Sequence, residues 1–158
     1  MSAPPSHLLY LHGFRSSPKS FKAQRLAAWL AAHHPELHWW CPQLPPSPRE
    51  ALALVLAGTA DWPAHRSAVL GSSLGGWYAT AVAEIRGWPA VVMNPAVNPA
   101  RDLAAYIGEQ TAFHTPQERF WFRPEYVDDL RAQHAGPLKH PEHYLAVIAQ
   151  GDELLSWR

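Results

Sequence analysis

An α/β fold, with a mostly parallel sheet covered by helices on both faces, follows from three observations. Short apolar runs of strand length recur along the chain at residues 7–12, 38–43, 67–71, 90–93 and 144–149. Stretches of helix-forming composition, bounded by capping residues, separate the first four. The runs are continuously apolar instead of alternating, as expected of strands buried on both faces. At 158 residues the chain is long enough to bury one core without staples, so a single domain over 1–158 is expected.

The elements follow in order. Residues 7–12 form the first strand. Ser17-Pro18 is a cap followed by proline at a first helical position, which predicts a helix to about residue 33 with Leu26, Trp29 and Leu30 on one face. The second strand is 38–43. Ser47-Pro48-Arg49-Glu50 has the spacing of a capping box and opens a second helix to about Gly58. The third strand, 67–71, turns sharply into a third helix that runs from Leu74 to Arg86 and stops at Gly87. The fourth strand, 90–93, ends at Asn94-Pro95, and the fifth, 144–149, ends at Gly151. Between about 100 and 142 the pattern loosens. Residues 101–107 read as a helix, and Phe113, Phe120, Trp121, Phe122 and Tyr126 make the following stretch aromatic. A segment of that length exceeds a plain crossover, so it is read as an insertion or lid over the sheet's C-terminal edge, bordering the pocket.

Composition excludes several functions. Thirteen basic residues balance thirteen acidic ones, which argues against a nucleic-acid or anionic-membrane partner, since either would need a basic patch. No apolar run approaches the roughly 20 residues of a membrane span, and the first residues lack the charged and apolar regions of a signal peptide. The single Cys41, between Trp40 and Pro42, has no partner for an internal disulfide, which suits a reducing cytoplasm, and it reads as a buried small hydrophobe. The histidines lack the i, i+4 spacing of a helical zinc site, and no P-loop lysine follows Gly75-Gly76, so neither a metal nor another cofactor is expected.

The chemistry points to Gly71-Ser72-Ser73-Leu74-Gly75, a G-x-S-x-G at a strand-to-helix turn. With glycine near 7% of residues, the pattern alone arises by chance in about one chain in twenty of this length. The strand–turn–helix context raises its weight. Such a turn needs glycine at Gly71 and Gly75, exposes the Ser73 hydroxyl as a nucleophile and presents the Leu74 amide beside it. Ser72 is then a turn residue. His12-Gly13-Phe14 ends the first strand where this chemistry places a second oxyanion donor, here the Phe14 amide. His12 reads as a residue that holds this loop. Asp152, after the fifth strand, is placed for the acid that orients a base, or for a solvated turn. Asn94 occupies another position used for the acid, but an amide cannot serve. No histidine follows Asp152, and of those upstream only His12 and His114 lie near the right edge of the sheet, so no triad closes in the expected order.

Several motifs coincide beyond this point. Tyr10-Leu11-His12-Gly13-Phe14 with Ser16-Ser17-Pro18, Pro42-Gln43-Leu44-Pro45-Pro46, Gly71 to Thr80, Asn94 to Pro99 and Gly151-Asp152-Glu153-Leu154-Leu155 together resemble the YqiA-like small esterase family of the α/β-hydrolase fold. The resemblance spans residues 8 to 158. It implies a cytoplasmic serine esterase acting on carboxylic esters or acyl-thioesters, with Ser73 as nucleophile, Asp152 as acid, and Phe14 and Leu74 as oxyanion donors. Members of that family continue past the acid with a helix, a final strand and a loop carrying the catalytic histidine, all of which are expected to be missing here. The rival expectation is a non-catalytic binding or assembly module that kept the fold. Without a final strand, residues 144–149 are expected to form a sheet edge open to pairing with a second copy.

Overall fold

The computed structural model describes residues 3–150. Its main sheet has five strands, β1 (His7–Leu11), β2 (His38–Trp40), β3 (Ser67–Ser72), β4 (Ala90–Met93) and β7 (Tyr144–Val147). They lie in the order β2-β1-β3-β4-β7, and every pairing is parallel. The chain leaves β1 in one direction to make β2 and in the other to make β3. The crevice between the carboxyl ends of β1 and β3 is therefore the switch point at which open α/β sheets bind ligands. Leu11 pairs with Gly71 there, which puts His12-Gly13 beside Ser72-Ser73.

Three helices follow the strands: α1 (Phe21–His33), α2 (Pro48–Gly58) and α3 (Leu74–Arg86). Right-handed crossovers place α1 on one face of the sheet and α2 and α3 on the other. The α3 face holds the main core, where Leu9, Leu11, Val69 and Val92 meet Tyr78, Val82 and Trp88. The α2 start is as the sequence predicts, with Ser47 accepting from the Glu50 amide and Pro48 at the first position. The α1 start differs. Ser17 accepts from the Lys19 amide in a preceding turn, and Ser20 is the cap, accepting from Ala23. Both serines have the right chemistry, and the turn at Ser17 delays the helix by three residues.

Between β4 and β7 the expected single helix is two short pieces, α4 (Pro99–Leu103) and a 3-10 turn over Ala104–Tyr106. An antiparallel hairpin follows, β5 (Gly108–Thr111) with β6 (Arg119–Phe122), and then α5 (Pro124–Ala132). Helix α5 packs against α2 and α4, with Val127 and Leu130 buried. Among the described residues, no helix is long and apolar enough to cross a membrane.

Candidate active site

Ser73 joins β3 to α3 with φ 57° and ψ −120°, a left-handed backbone that a residue with a side chain adopts at a cost of about 1–3 kcal/mol. Three hydrogen bonds hold it there. The Ser73 amide donates to the Met93 carbonyl at 3.0 Å, and the Ser73 carbonyl accepts from the Gly76 and Ala96 amides, each at 2.9 Å. The flanking glycines are required by space. A Cβ on Gly71 would overlap the Gly75 carbonyl, and one on Gly75 would overlap the Leu11 carbonyl. The end of β1, the elbow and the first turn of α3 are thus in backbone contact.

The loop after β1 closes over Ser73. A Cβ on Gly13 would stand 3.2 Å from the Ser73 Cβ and 3.7 Å from its Oγ. Only glycine brings this backbone so near the hydroxyl without crowding it. Phe14 and Leu74, the neighbours of Gly13 and Ser73 in the chain, line a cleft of which Ser73 itself is not a wall, and among the described residues neither of their amides donates a hydrogen bond to protein. Leu74 opens α3, so its N–H is one of the unpaired donors at the positive end of the helix dipole.

His12 is nearly fully buried, and both its ring nitrogens are engaged. Nε2 accepts from the Leu44 amide at 2.9 Å, which fixes the neutral tautomer and leaves Nδ1–H to donate to the Gly13 carbonyl at 2.9 Å. Burial is the main cause that holds this imidazole below its ordinary pKa. The bond to Gly13 works the other way, and the His114 charge lowers it further. A ring with both nitrogens committed to backbone fixes the loops after β1 and β2. It is not free to take a proton from Ser73.

The cleft has a volume of about 390 Å³. Phe14, Leu44, Leu74 and Phe120 give it apolar walls, with Arg15, Gln43 and Tyr78 as polar or amphipathic ones. The aromatic stretch divides by strand alternation. Phe120 faces the cleft, Phe122 is 1% exposed in the core, and Trp121 points outward at 58% exposure. Phe113 lies under the Arg15 guanidinium. Of these four only Phe120 borders the cleft: strand alternation turns Trp121 to the opposite face, Phe122 on the same face as Phe120 is sunk in the core, and Phe113 lies in the hairpin loop. Tyr78, one turn after Leu74 on α3, lines the cleft, a placement its i, i+4 spacing could have suggested. Arg15 carries no such signal, since its side-chain partner Thr111 is 96 residues away.

Asp152 lies outside the described residues. Asn94, φ 42°, bridges β4 and β7: its amide donates to the Val147 carbonyl at 2.9 Å, and its Oδ1 accepts from the Ala149 amide at 2.7 Å. Among the described residues no imidazole is hydrogen-bonded to Ser73. His134 packs on Trp77 at 5.7 Å and His114 is exposed on the hairpin loop. At the other end of the sheet, His140, Glu142 and His143 bring ligand atoms within 4.8 Å of one another, a grouping that helical spacing does not reveal because it sits on a 3-10 turn. All three are exposed and far from the elbow along β7. Cys41 is half-buried, and burial pushes its thiol up to about 11.

The sequence profile of the uncharacterised protein family UPF0227, the YqiA-like family, matches residues 7–158. The chain belongs to this family. Solved structures similar to it share the α/β-hydrolase fold. The mouse α/β hydrolase domain-containing protein 10 is similar with a TM-score of 0.69 and 16% identity, over 96% of this chain and 71% of that one. The ydeN gene product of B. subtilis is similar with a TM-score of 0.66 and 12% identity, over 96% and 75%. A putative hydrolase from Agrobacterium vitis S4 is similar with a TM-score of 0.61 and 16% identity, over 93% and 81%. At such identities the likeness shows the fold, and chemistry must be argued from the site.

Proposed function

We propose that this chain is a serine hydrolase of carboxylic esters or acyl-thioesters, working through an acyl-enzyme on Ser73. The observation that carries this reading is the strained Ser73 backbone at the sheet's switch point, beside two cleft-lining residues whose amides have no protein acceptor. A serine held at such cost, with free donors next to it, is arranged for attack on a carbonyl. Oγ adds to the carbonyl carbon, and the oxygen that gains charge takes hydrogen bonds from the Phe14 and Leu74 amides. The Oγ proton passes to a base, which the described residues do not supply; collapse expels the alcohol or thiol, which takes that proton, and water then adds to the acyl-enzyme through the same base, releasing the acid and restoring the Ser73 hydroxyl. Asp152 is the residue proposed to orient the base. The apolar walls from Phe14, Leu44 and Phe120 favour an acyl group over a charged substrate. The segment between β4 and β7 serves as the lid over this cleft, and the lone high-pKa Cys41 suits a cytoplasmic setting.

One observation favours a second reading. No base contacts the Ser73 hydroxyl among the described residues, which is what a binding or assembly module that kept the fold would show. Hydrolysis of p-nitrophenyl esters and acyl-thioesters, together with covalent labelling by a fluorophosphonate, separates the two. Labelling at Ser73 that Ser73→Ala abolishes, in a variant of unchanged circular dichroism, supports the hydrolase. A folded protein that binds an acyl ligand in the cleft yet neither labels nor turns over supports the module.

A further inference from the structure

The residue directly after the Phe14 amide grips the hairpin that overhangs the cleft. Arg15 has φ 61°, the left-handed region that non-glycine residues rarely occupy. From there its side chain reaches β5, where Nε donates to the Thr111 carbonyl at 2.7 Å and Nη2 to the Thr111 hydroxyl at 3.2 Å. Its guanidinium lies 4.3 Å from the centroid of the Phe113 ring. Its own carbonyl accepts from the Phe113 amide at 2.8 Å. The Phe14 ring completes the join, meeting Tyr106, Phe120 and Phe122 edge-on at 5.6, 5.9 and 5.1 Å. Every one of these partners belongs to the segment between α4 and α5.

We infer that Arg15 is a positioning residue, which fastens the oxyanion loop to the hairpin so that the Phe14 amide keeps its aim only while the hairpin is seated. This rests on the reading of Phe14 as an oxyanion donor. Such a donor must sit about 2.7–3.1 Å from the developing oxyanion. A loop following a strand end does not hold an amide that closely by itself; fixed side chains behind it must. Arginine suits the task because its planar fork binds two oxygens of one residue while its face stacks on a ring, and lysine offers one point charge instead. Raising the hairpin to admit a substrate would therefore also displace the donor, and closing it would complete the hole.

The test uses three variants of the 158-residue protein. Arg15→Gly keeps a backbone suited to φ 61° and removes the side chain, Arg15→Lys keeps the charge without the fork, and Thr111→Val removes one acceptor. Amide NMR and hydrogen exchange form the first readout. In Arg15→Gly the Phe14 resonance should shift and the Phe113 amide should exchange at least about tenfold faster, with Thr111→Val intermediate and Arg15→Lys near Arg15→Gly. Fluorophosphonate labelling of Ser73 forms the second. Its maximal rate should fall about tenfold or more in Arg15→Gly while the half-saturating concentration changes less than about twofold, as expected when a transition-state donor is misplaced. An unchanged Phe14 resonance in Thr111→Val, which alters no covalent neighbour of Phe14, overturns the inference, as does a labelling rate in Arg15→Gly equal to that of the wild type. Should Arg15→Gly fail to fold, Thr111→Val carries both readouts. A wild-type protein that does not label counts against the Ser73 reading, and the NMR arm then decides the Arg15 linkage alone.

Discussion

The Asn94 side-chain oxygen accepts a hydrogen bond from the Ala149 amide at 2.7 Å, extending the β4–β7 ladder past its last backbone pair, Met93–Val147. This side chain does the work of one more strand residue, and its φ of 42° is what turns the carboxamide toward β7. Asn94→Ala should cost about 1–2 kcal/mol, from the lost bond and from the strain that alanine incurs at this φ. Asn94→Asp, whose carboxylate can accept the same bond, should cost less. Urea unfolding and exchange of the Ala149 amide would check this. Equal stability of Asn94→Ala and the wild type would refute the bridging role.

Ser73 is held against its backbone preference, so its replacement should reveal the stored strain. Ser73→Gly should be more stable than Ser73→Ala by about 1 kcal/mol, a shift of roughly 2–4 °C in melting temperature for a chain of this size. Both variants should lose any covalent labelling. A Ser73→Ala protein that melts above Ser73→Gly would mean the elbow is not strained in solution.

His12 gives the stability a definite pH dependence. Its folded pKa is lowered, mainly by burial, so between the folded value and the ordinary one the unfolded chain binds more protons. The stabilisation is complete above about 6.5, the free imidazole value, and is lost as pH falls through the folded value. Protonation would also break the Leu44 N–H bond to Nε2 and free the loop that carries Gly13 and Phe14. Urea midpoints at pH 7.5 and 5.0 should fall further for the wild type than for His12→Gln, since glutamine has no proton to gain. Parallel losses in the two proteins would assign the acid sensitivity elsewhere, for instance to His7, whose pKa is also lowered by burial.

Strand β7 is the edge of the main sheet among the described residues, and Leu145 and Val147 are 59% and 50% exposed. An apolar edge without proline is a template for another strand, so a homodimer paired through residues 144–149 is the expected assembly. Light scattering should show a mass that rises with concentration, and amides of Tyr144–Val147 should gain protection in the same range. A monomer at all concentrations, or protection independent of association, would rule this pairing out.

How far the sequence could be read depended on how local the determining physics was. Strands β3 and β4 and helix α3 declare themselves because Val69, Val91 and Val92 form apolar runs and Gly87 stops the helix at once. The elbow is legible for the same reason, since all its constraints fall within five residues and one neighbouring strand end. The hairpin is not. Gly108-Glu109-Gln110-Thr111 has no apolar alternation, and it becomes a strand only because Arg15, Phe14 and β6 supply partners from elsewhere. Helix α5 was equally hidden, with Arg123 as a cap that makes no side-chain bond and with charged Glu125, Asp128 and Arg131 diluting its short apolar stripe. Within the candidate site, the serine and the glycines could be read locally, whereas Arg15 depends on distant contacts.

The overlap that a Cβ on Gly75 would make with the Leu11 carbonyl has an implication for how such chains are sorted. Both glycines of the G-x-S-x-G answer to backbone crowding, so a descendant with no catalytic use for the turn would keep them as firmly as an active enzyme does. Survival of the full pattern in a sequence therefore testifies to architecture, and a lineage's loss of activity should first become visible at Ser73, whose hydroxyl forms no hydrogen bond that the fold needs among the described residues.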